Sequence, residues 1–256
     1  MKSIDINCDM GELPDAVADG TQELLMQYIT SANIACGGHA GDEQTMSATI
    51  EQALRHKVSI GAHPGYEDRP NFGRNELRLA PAEISASVGH QVRALDAIAQ
   101  KLGAGILHVK PHGALYNQAA RDRVIARAIA EGVSRWRSDV ILIGLAGSVM
   151  LDEFRAAGFL VAAEAFADRR YEPDGSLRAR KFRDALLADP QQAAEQALRI
   201  VEHSTVVASN GAAIPLDAHT LCLHGDTPGA PDIAAAVRRR LTSSNITLAP
   251  LAGNRK

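Results

Sequence analysis

Short apolar runs recur along the chain, and each gives way to a longer amphipathic stretch. The runs cover 3–9, 32–36, 58–63, 106–110, 140–146, 159–166 and 220–224. They are rich in Val, Ile, Leu and Ala, which predicts strands. Helical patterns fill 21–29, 43–56, 81–102, 121–136, 148–157, 190–203 and 231–241. In 43–56, Met46, Ile50, Ala53 and Leu54 repeat at helical spacing. In 81–102, Pro81 sits in the first turn and Gly103 follows the last. Seven strands alternating with helices predict an α/β fold with a parallel sheet. No repeat, low-complexity segment or linker divides residues 1–256, so a single domain is expected.

The polarity within the strands narrows this further. Side chains alternate between faces along a strand. In the first, Ile4, Ile6 and Cys8 oppose Asp5, Asn7 and Asp9; in the third, Ile60 and Ala62 oppose Gly61 and His63. In the fourth, Leu107 and Val109 oppose His108, Lys110 and His112; in the seventh, Leu221 and Leu223 oppose Cys222, His224 and Asp226. An open sheet covered by helices on both sides is apolar on both faces. One apolar and one polar face instead predict a barrel, with helices outside and polar groups lining the interior and the mouth at the strands' C-terminal ends. Active sites of such folds gather there.

Composition excludes several classes. Lys+Arg 27 against Asp+Glu 30 leaves a net charge of −3, with no basic stripe, so a nucleic-acid partner is not expected. The longest apolar run, 140–151, is too short for a membrane span of about 20 residues. No signal-peptide pattern follows the acidic start, and a cytoplasmic protein is expected. Cys8, Cys36 and Cys222 form no CxxC pair and are expected to be buried thiols. Nine histidines stand out. His56, His90, His203 and His219 fall on helical patterns or before a strand, whereas His39, His63, His108, His112 and His224 fall on strand ends or the polar face.

Each strand end carries a motif. Asp9-Met10-Gly11-Glu12 offers two carboxylates, of which Asp9 is the better placed and Glu12 reads equally as a solvated loop residue. Around Asn33, the cluster Gly37-Gly38-His39-Ala40-Gly41 lets backbone approach a ligand, and Asp42 is expected to cap the next helix. His63-Pro64-Gly65 forces a turn that holds His63 at the mouth, and the loop 68–74 is long enough to cover a site. Lys110 and His112 are the most pointed pair. An inward Lys is expected either to have a depressed pKa or to stabilise an oxyanion, with Glu164, Asp168 or Asp226 as partner. His224-Gly225-Asp226-Thr227-Pro228-Gly229 presents a histidine and a carboxylate on one tight turn.

Six segments carry a resemblance: 5–12 (DINCDMGE), 31–42 (SANIACGGHAGD), 61–68 (GAHPGYED), 109–117 (VKPHGALYN), 164–171 (EAFADRRY) and 221–229 (LCLHGDTPG). Together and in this order they resemble the LamB/YcsF family across nearly the whole chain. The resemblance implies a seven-stranded parallel (β/α) barrel similar to the NodB-type deacetylases. It also implies a role as the A subunit of bacterial 5-oxoprolinase, which opens 5-oxoproline to L-glutamate with ATP and water, together with B and C subunits. No GxxxxGK[ST] loop is present, so ATP, the implied co-substrate, is expected to bind to the partners. The barrel would then direct water to a lactam carbon that the partners have activated.

Asp9, His39, His63, Lys110, His112 and Asp226 are the candidate catalytic residues. Asp9 would act as base, Lys110 would stabilise developing charge, and His112, His224 and Asp226 would carry protons or bind substrate. Asn7, Glu12, Asn33, Gly37, Gly38, Glu164 and His224 are the candidate substrate-binding residues. Lys110→Met or Asp9→Asn is expected to abolish glutamate formation in a folded protein. A metal-dependent deacetylase or amidohydrolase is the first rival; its divalent ion would take Asp9, His39 and His63, although the HxxxH spacing of NodB-type enzymes is missing there. A non-catalytic substrate-binding subunit is the second. The metal and a homo-oligomer are left open.

Overall fold

A computed structural model describes residues 2–227 and 229–251, so Pro228 of the last motif lies outside the described residues. Ten strands are present among these: β1 (Ser3–Met10), β2 (Ser31–Ala35), β3 (Ser59–His63), β4 (His108–Val109), β5 (Ile141–Leu145), β6 (Leu160–Phe166), β7 (Thr205–Val207), β8 (Ala213–Pro215), β9 (Thr220–Leu223) and β10 (Thr247–Leu248). Seven of them, in the order β1-β2-β3-β4-β5-β6-β9, form a parallel sheet that closes through β9 and β1. The seven-stranded barrel and all seven strand positions expected from the sequence are therefore observed. The antiparallel hairpin β7–β8 and the short β10, which pairs with the start of β1, were not anticipated. Two or three residues carry too little periodicity to register.

The helices are α1 (Pro14–Ala18), α2 (Thr21–Met26), α3 (Glu43–His56), α4 (Pro81–Lys101), α5 (Gly113–Ala119), α6 (Arg123–Ser134), α7 (Val149–Ala156), α8 (Pro190–His203) and α9 (Ala230–Ser243). Asp42 caps α3 as expected: its Oδ1 accepts the Thr45 N–H at 2.8 Å, and the Asp42 N–H donates to Thr45 Oγ1. The pattern expected over 121–136 begins two residues later, because Asp122 is itself the cap of α6. Helices α1 and α5 were not anticipated, and the pattern expected over 21–29 gives a helix only to Met26.

Closure divides the apolar residues into two cores. The larger lies between barrel and helices, and holds Ile4, Ile6 and Cys8 from the outer face of β1 with Ile50, Val92 and Ile129 from the helices. A smaller cluster of Ile141, Ile143, Ala162 and Leu251 is separate from it. Ile141 is in register with His108, so it belongs to the inner face of the barrel. Gly61 sits beside His108 in the ladder. A Cβ there would come within 2.0 Å of His108 Nε2, so the ring occupies space that only glycine leaves free. All three cysteines are free and buried.

Candidate active site

The polar inner face forms a continuous network. At its base, Asp5 accepts from Thr30, Ser31 and Thr220 and is fully buried, which pushes its carboxyl up to about 6 against those hydrogen bonds. Asn7 Nδ2 donates to Glu164 Oε1 at 3.0 Å and to Thr220 Oγ1 at 2.7 Å. Asn33 Nδ2 donates to Asn7 Oδ1 at 2.7 Å and to Asp9 Oδ1 at 2.9 Å, and His108 Nε2 lies 2.9 Å from Asn33 Oδ1. Burial, with the nearby Lys110 charge, pushes His108 down to about 3, so it is a neutral donor.

Lys110 stands above this floor. Its Nζ lies 2.9 Å from Asp9 Oδ1, 2.9 Å from Glu164 Oε1 and 3.1 Å from Cys222 Sγ. Burial alone would depress the ammonium, but Asp9 and Glu164 reverse that and hold it well above its ordinary value. The depressed lysine considered from the sequence is thereby corrected: two buried carboxylates keep Lys110 charged. Its partners are Asp9 and Glu164, not Asp168 or Asp226. Burial also works against the Asp9 carboxylate, and the charges of His63 and Lys110 outweigh it, so Asp9 is held well below the usual carboxylate range.

Beside Asp9 sits a histidine cluster. One ligand atom each from Glu12, His39, His63 and His112 lies within 4.8 Å of the others. Glu12 Oε1 is 2.9 Å from His39 Nε2 and 3.0 Å from His112 Nδ1, and His39 stacks on His112 with ring centroids 3.6 Å apart. Glu12 is thus not a solvated loop residue; hydrogen bonds from His112 and His39 overcome its burial and keep it ionised. The tautomers follow from geometry. A carbonyl oxygen only accepts, so His63 Nδ1, 2.7 Å from the Lys110 oxygen, carries a hydrogen. His112 Nε2, 2.9 Å from the Phe72 oxygen, does so too. The loop 68–74 therefore covers the cluster, as its length suggested. The remaining nitrogens, His63 Nε2 and His112 Nδ1, face each other at 3.0 Å. Two bare lone pairs at that distance would repel; a proton on His112 Nδ1, which also faces Glu12 Oε1 at 3.0 Å, or a divalent cation in its place relieves this. The His63 and His112 imidazoles, whose far nitrogens are anchored on carbonyls, fit such an ion with Glu12 alongside; His39 joins them with its far nitrogen, Nδ1, unpartnered. The fitting set is Glu12, His39, His63 and His112. Asp9, expected in its place, is committed to Lys110 and Asn33, meets this cluster at His63, 3.3 Å away, and also lies near Cys222 and His224, with one ligand atom of each within 4.8 Å of the others.

Lys110, Asp9, Glu12, His63, His112 and His224 line one end of a cavity of about 760 Å³. His224 is oriented by Asp168, whose Oδ1 lies 2.9 Å from Nδ1; the anchored Nδ1–H leaves Nε2 free to accept. Asp226 also lines the cavity but is held by Arg74 and Arg180, a partnership the sequence did not disclose. Asn7, Asn33 and Glu164 lie beneath the cavity and support Asp9 and Lys110. Gly37 and Gly38 do not line it. A Cβ on Gly38 would meet Gln91 Oε1 at 2.4 Å and the Gly65 carbonyl at 2.7 Å, so this glycine serves packing. Gly37 gives its carbonyl to Arg69.

The closed seven-stranded parallel barrel has the fold of the NodB-type deacetylases. A family 4 carbohydrate esterase from Streptomyces lividans shares the fold, with a TM-score of 0.51 at 8% identity over 98% of this chain and 93% of that one. The chain belongs to the LamB/YcsF family, which it matches over residues 4–256. It is 50% identical over 248 residues to the 5-oxoprolinase A subunit of Chloroflexus aggregans, covering 97% of this chain and 98% of that protein. The 5-oxoprolinase A subunit of Staphylococcus carnosus is 44% identical over 250 residues, 98% of this chain and 99% of its own. A crystal structure of the lactam utilization protein from Thermus thermophilus superposes with a TM-score of 0.90 at 40% identity, over 97% of this chain and 99% of that one. No helix among the described residues is long and apolar enough to cross a membrane.

Proposed function

We propose that this chain is the hydrolytic A subunit of an ATP-dependent 5-oxoprolinase, completing a ring opening that B and C subunits begin. The observation that carries it is the buried Lys110–Asp9 pair in the wall of a cavity, beside the cluster of Glu12, His39, His63 and His112. The names of its relatives and of the lactam utilization protein support the substrate class. In this reading the partners use ATP to phosphorylate the lactam oxygen. Water then adds to the activated carbon and gives a proton to Asp9, while Lys110 stabilises the developing charge. The carbon–nitrogen bond breaks, and the nitrogen keeps the electron pair and takes a proton from the His63–His112 pair. A second water cleaves the resulting acyl phosphate to glutamate and phosphate. The expected result is glutamate formation from 5-oxoproline and ATP only when this chain is mixed with its B and C partners. Equal turnover by the partners alone would exclude the reading.

The Glu12, His39, His63 and His112 set favours a second reading, in which a divalent ion assists an amide hydrolysis. Such an ion would supply Lewis-acid polarisation of the carbonyl. Purified protein would then contain near-stoichiometric metal, and chelation would lower its melting temperature. Metal-free protein whose melting ignores both chelator and added divalent ions assigns the cluster to the proton on His112 instead.

A further inference from the structure

Arg169 follows the Asp168 that orients His224. It is only 6% exposed, yet its side chain belongs to the cavity wall. Its Nη2 donates to the Arg178 carbonyl at 2.7 Å, and its Nε has no partner. It has no ion pair among the described residues. The carboxylates that stand near are committed elsewhere: Asp168 holds His224 and Thr227, and Asp226 holds Arg74 and Arg180. Of the charges around it, the Arg180 cation acts on it more strongly than the Asp168 carboxylate. Burial, and then Arg180, push the Arg169 guanidinium down to about 10.

A buried charge is costly unless it is paired. A guanidinium offers five N–H donors in a planar fork, and here most of that fork has no acceptor. Arg169 therefore has a fork open to a counter-charge, with which no carboxylate among the described residues forms an ion pair. Arg169 and Lys110 line the same cavity.

We propose that Arg169, with Arg180 beside it, forms an anion seat that takes an oxyanion of the substrate, a carboxylate or a phosphoryl group, while the reacting carbon lies at Lys110. This rests on the ring-opening reading, since 5-oxoproline carries a carboxylate and its activated form a phosphoryl group as well. Arginine is suited to either, because its fork matches two oxygens at once.

Calorimetric titration tests this without turnover. Wild-type chain, Arg169→Met and Arg169→Lys would each be titrated with inorganic phosphate, with 5-oxoproline and with 2-pyrrolidone, a lactam that has no carboxylate. Arg169→Met is expected to weaken binding of at least one anion tenfold or more and to leave 2-pyrrolidone unchanged. Arg169→Lys, which keeps the charge but not the fork, should recover part of the loss. Loss confined to phosphate assigns the seat to the phosphoryl group, and loss confined to 5-oxoproline assigns it to the carboxylate. Melting separates loss of binding from loss of fold: removing an unpaired buried charge should leave the free protein at least as stable, and anions should raise the melting temperature of the wild type more than that of Arg169→Met. If Arg169→Met does not fold, Arg180→Gln, at a more exposed position, is expected to weaken the same anion. Anion binding that is absent in the wild type, or equal in wild type and variant, overturns the seat. Failure of glutamate formation with the partners would instead remove the ring-opening reading.

Discussion

Lys110→Met is expected to lower glutamate formation by on the order of 10²–10³-fold, since it removes the cation aimed at the developing charge. It should also weaken the fold, contrary to the simple expectation of a folded, inactive protein. Nζ is the shared counter-charge of Asp9 and Glu164, both within 2.9 Å. Breaking a buried pair by removing one partner costs about 3–5 kcal/mol, because the other charge is left uncompensated. The double variant Lys110→Met/Glu164→Gln removes one of the two stranded charges and should melt closer to the wild type while remaining inactive. Turnover with saturating B and C partners, measured beside a melting curve, checks both parts. A double variant with near-normal turnover would remove Lys110 from the chemistry.

Asp9→Asn is expected to cost about 10²–10⁴-fold in turnover while leaving the protein folded. The substitution keeps the oxygen that accepts from Asn33 and Lys110, and Glu164 still neutralises the lysine. What disappears is the ability to take a proton. Asp9 and Glu12 also make a pH prediction. Both carboxyls are held below their ordinary range, so the stability they contribute is present above that range and is lost as pH falls through their depressed values. Asp5 acts in the opposite sense. Its raised value means its contribution is lost as pH rises through about 6. Asp9→Asn should therefore flatten the acid limb of a stability profile followed by melting temperature. An unchanged acid limb would mean that the carboxylate is not paired as described.

The alternation of Asp5, Asn7 and Asp9 against Ile4, Ile6 and Cys8 was enough to predict a barrel, because side-chain direction along a strand is a local property with a period of two. The caps and the long helices were legible for the same reason: Asp42 and Thr45 find each other within one turn. The same locality hides the pairings. Asp9 and Lys110 are 101 positions apart, and nothing in their spacing says that they meet, or that Glu164 joins them from β6. Glu12 looked like a loop residue until the ends of β2, β3 and β4 brought three imidazoles around it. Arg169 drew no expectation from the sequence, because burial of a single side chain in a connecting loop has no periodic signature.

The sequence by itself therefore determined the barrel, its polar lining and the end of it that carries the chemistry. Only closure decided which charges are partners. It put Lys110 between two carboxylates, left Asp9 at the edge of the histidine cluster, committed Asp168 to His224 and gave Arg169 no ion pair among the described residues. Strand polarity is set residue by residue, whereas ion pairing in a low-dielectric interior depends on distances that exist only once distant strands are side by side.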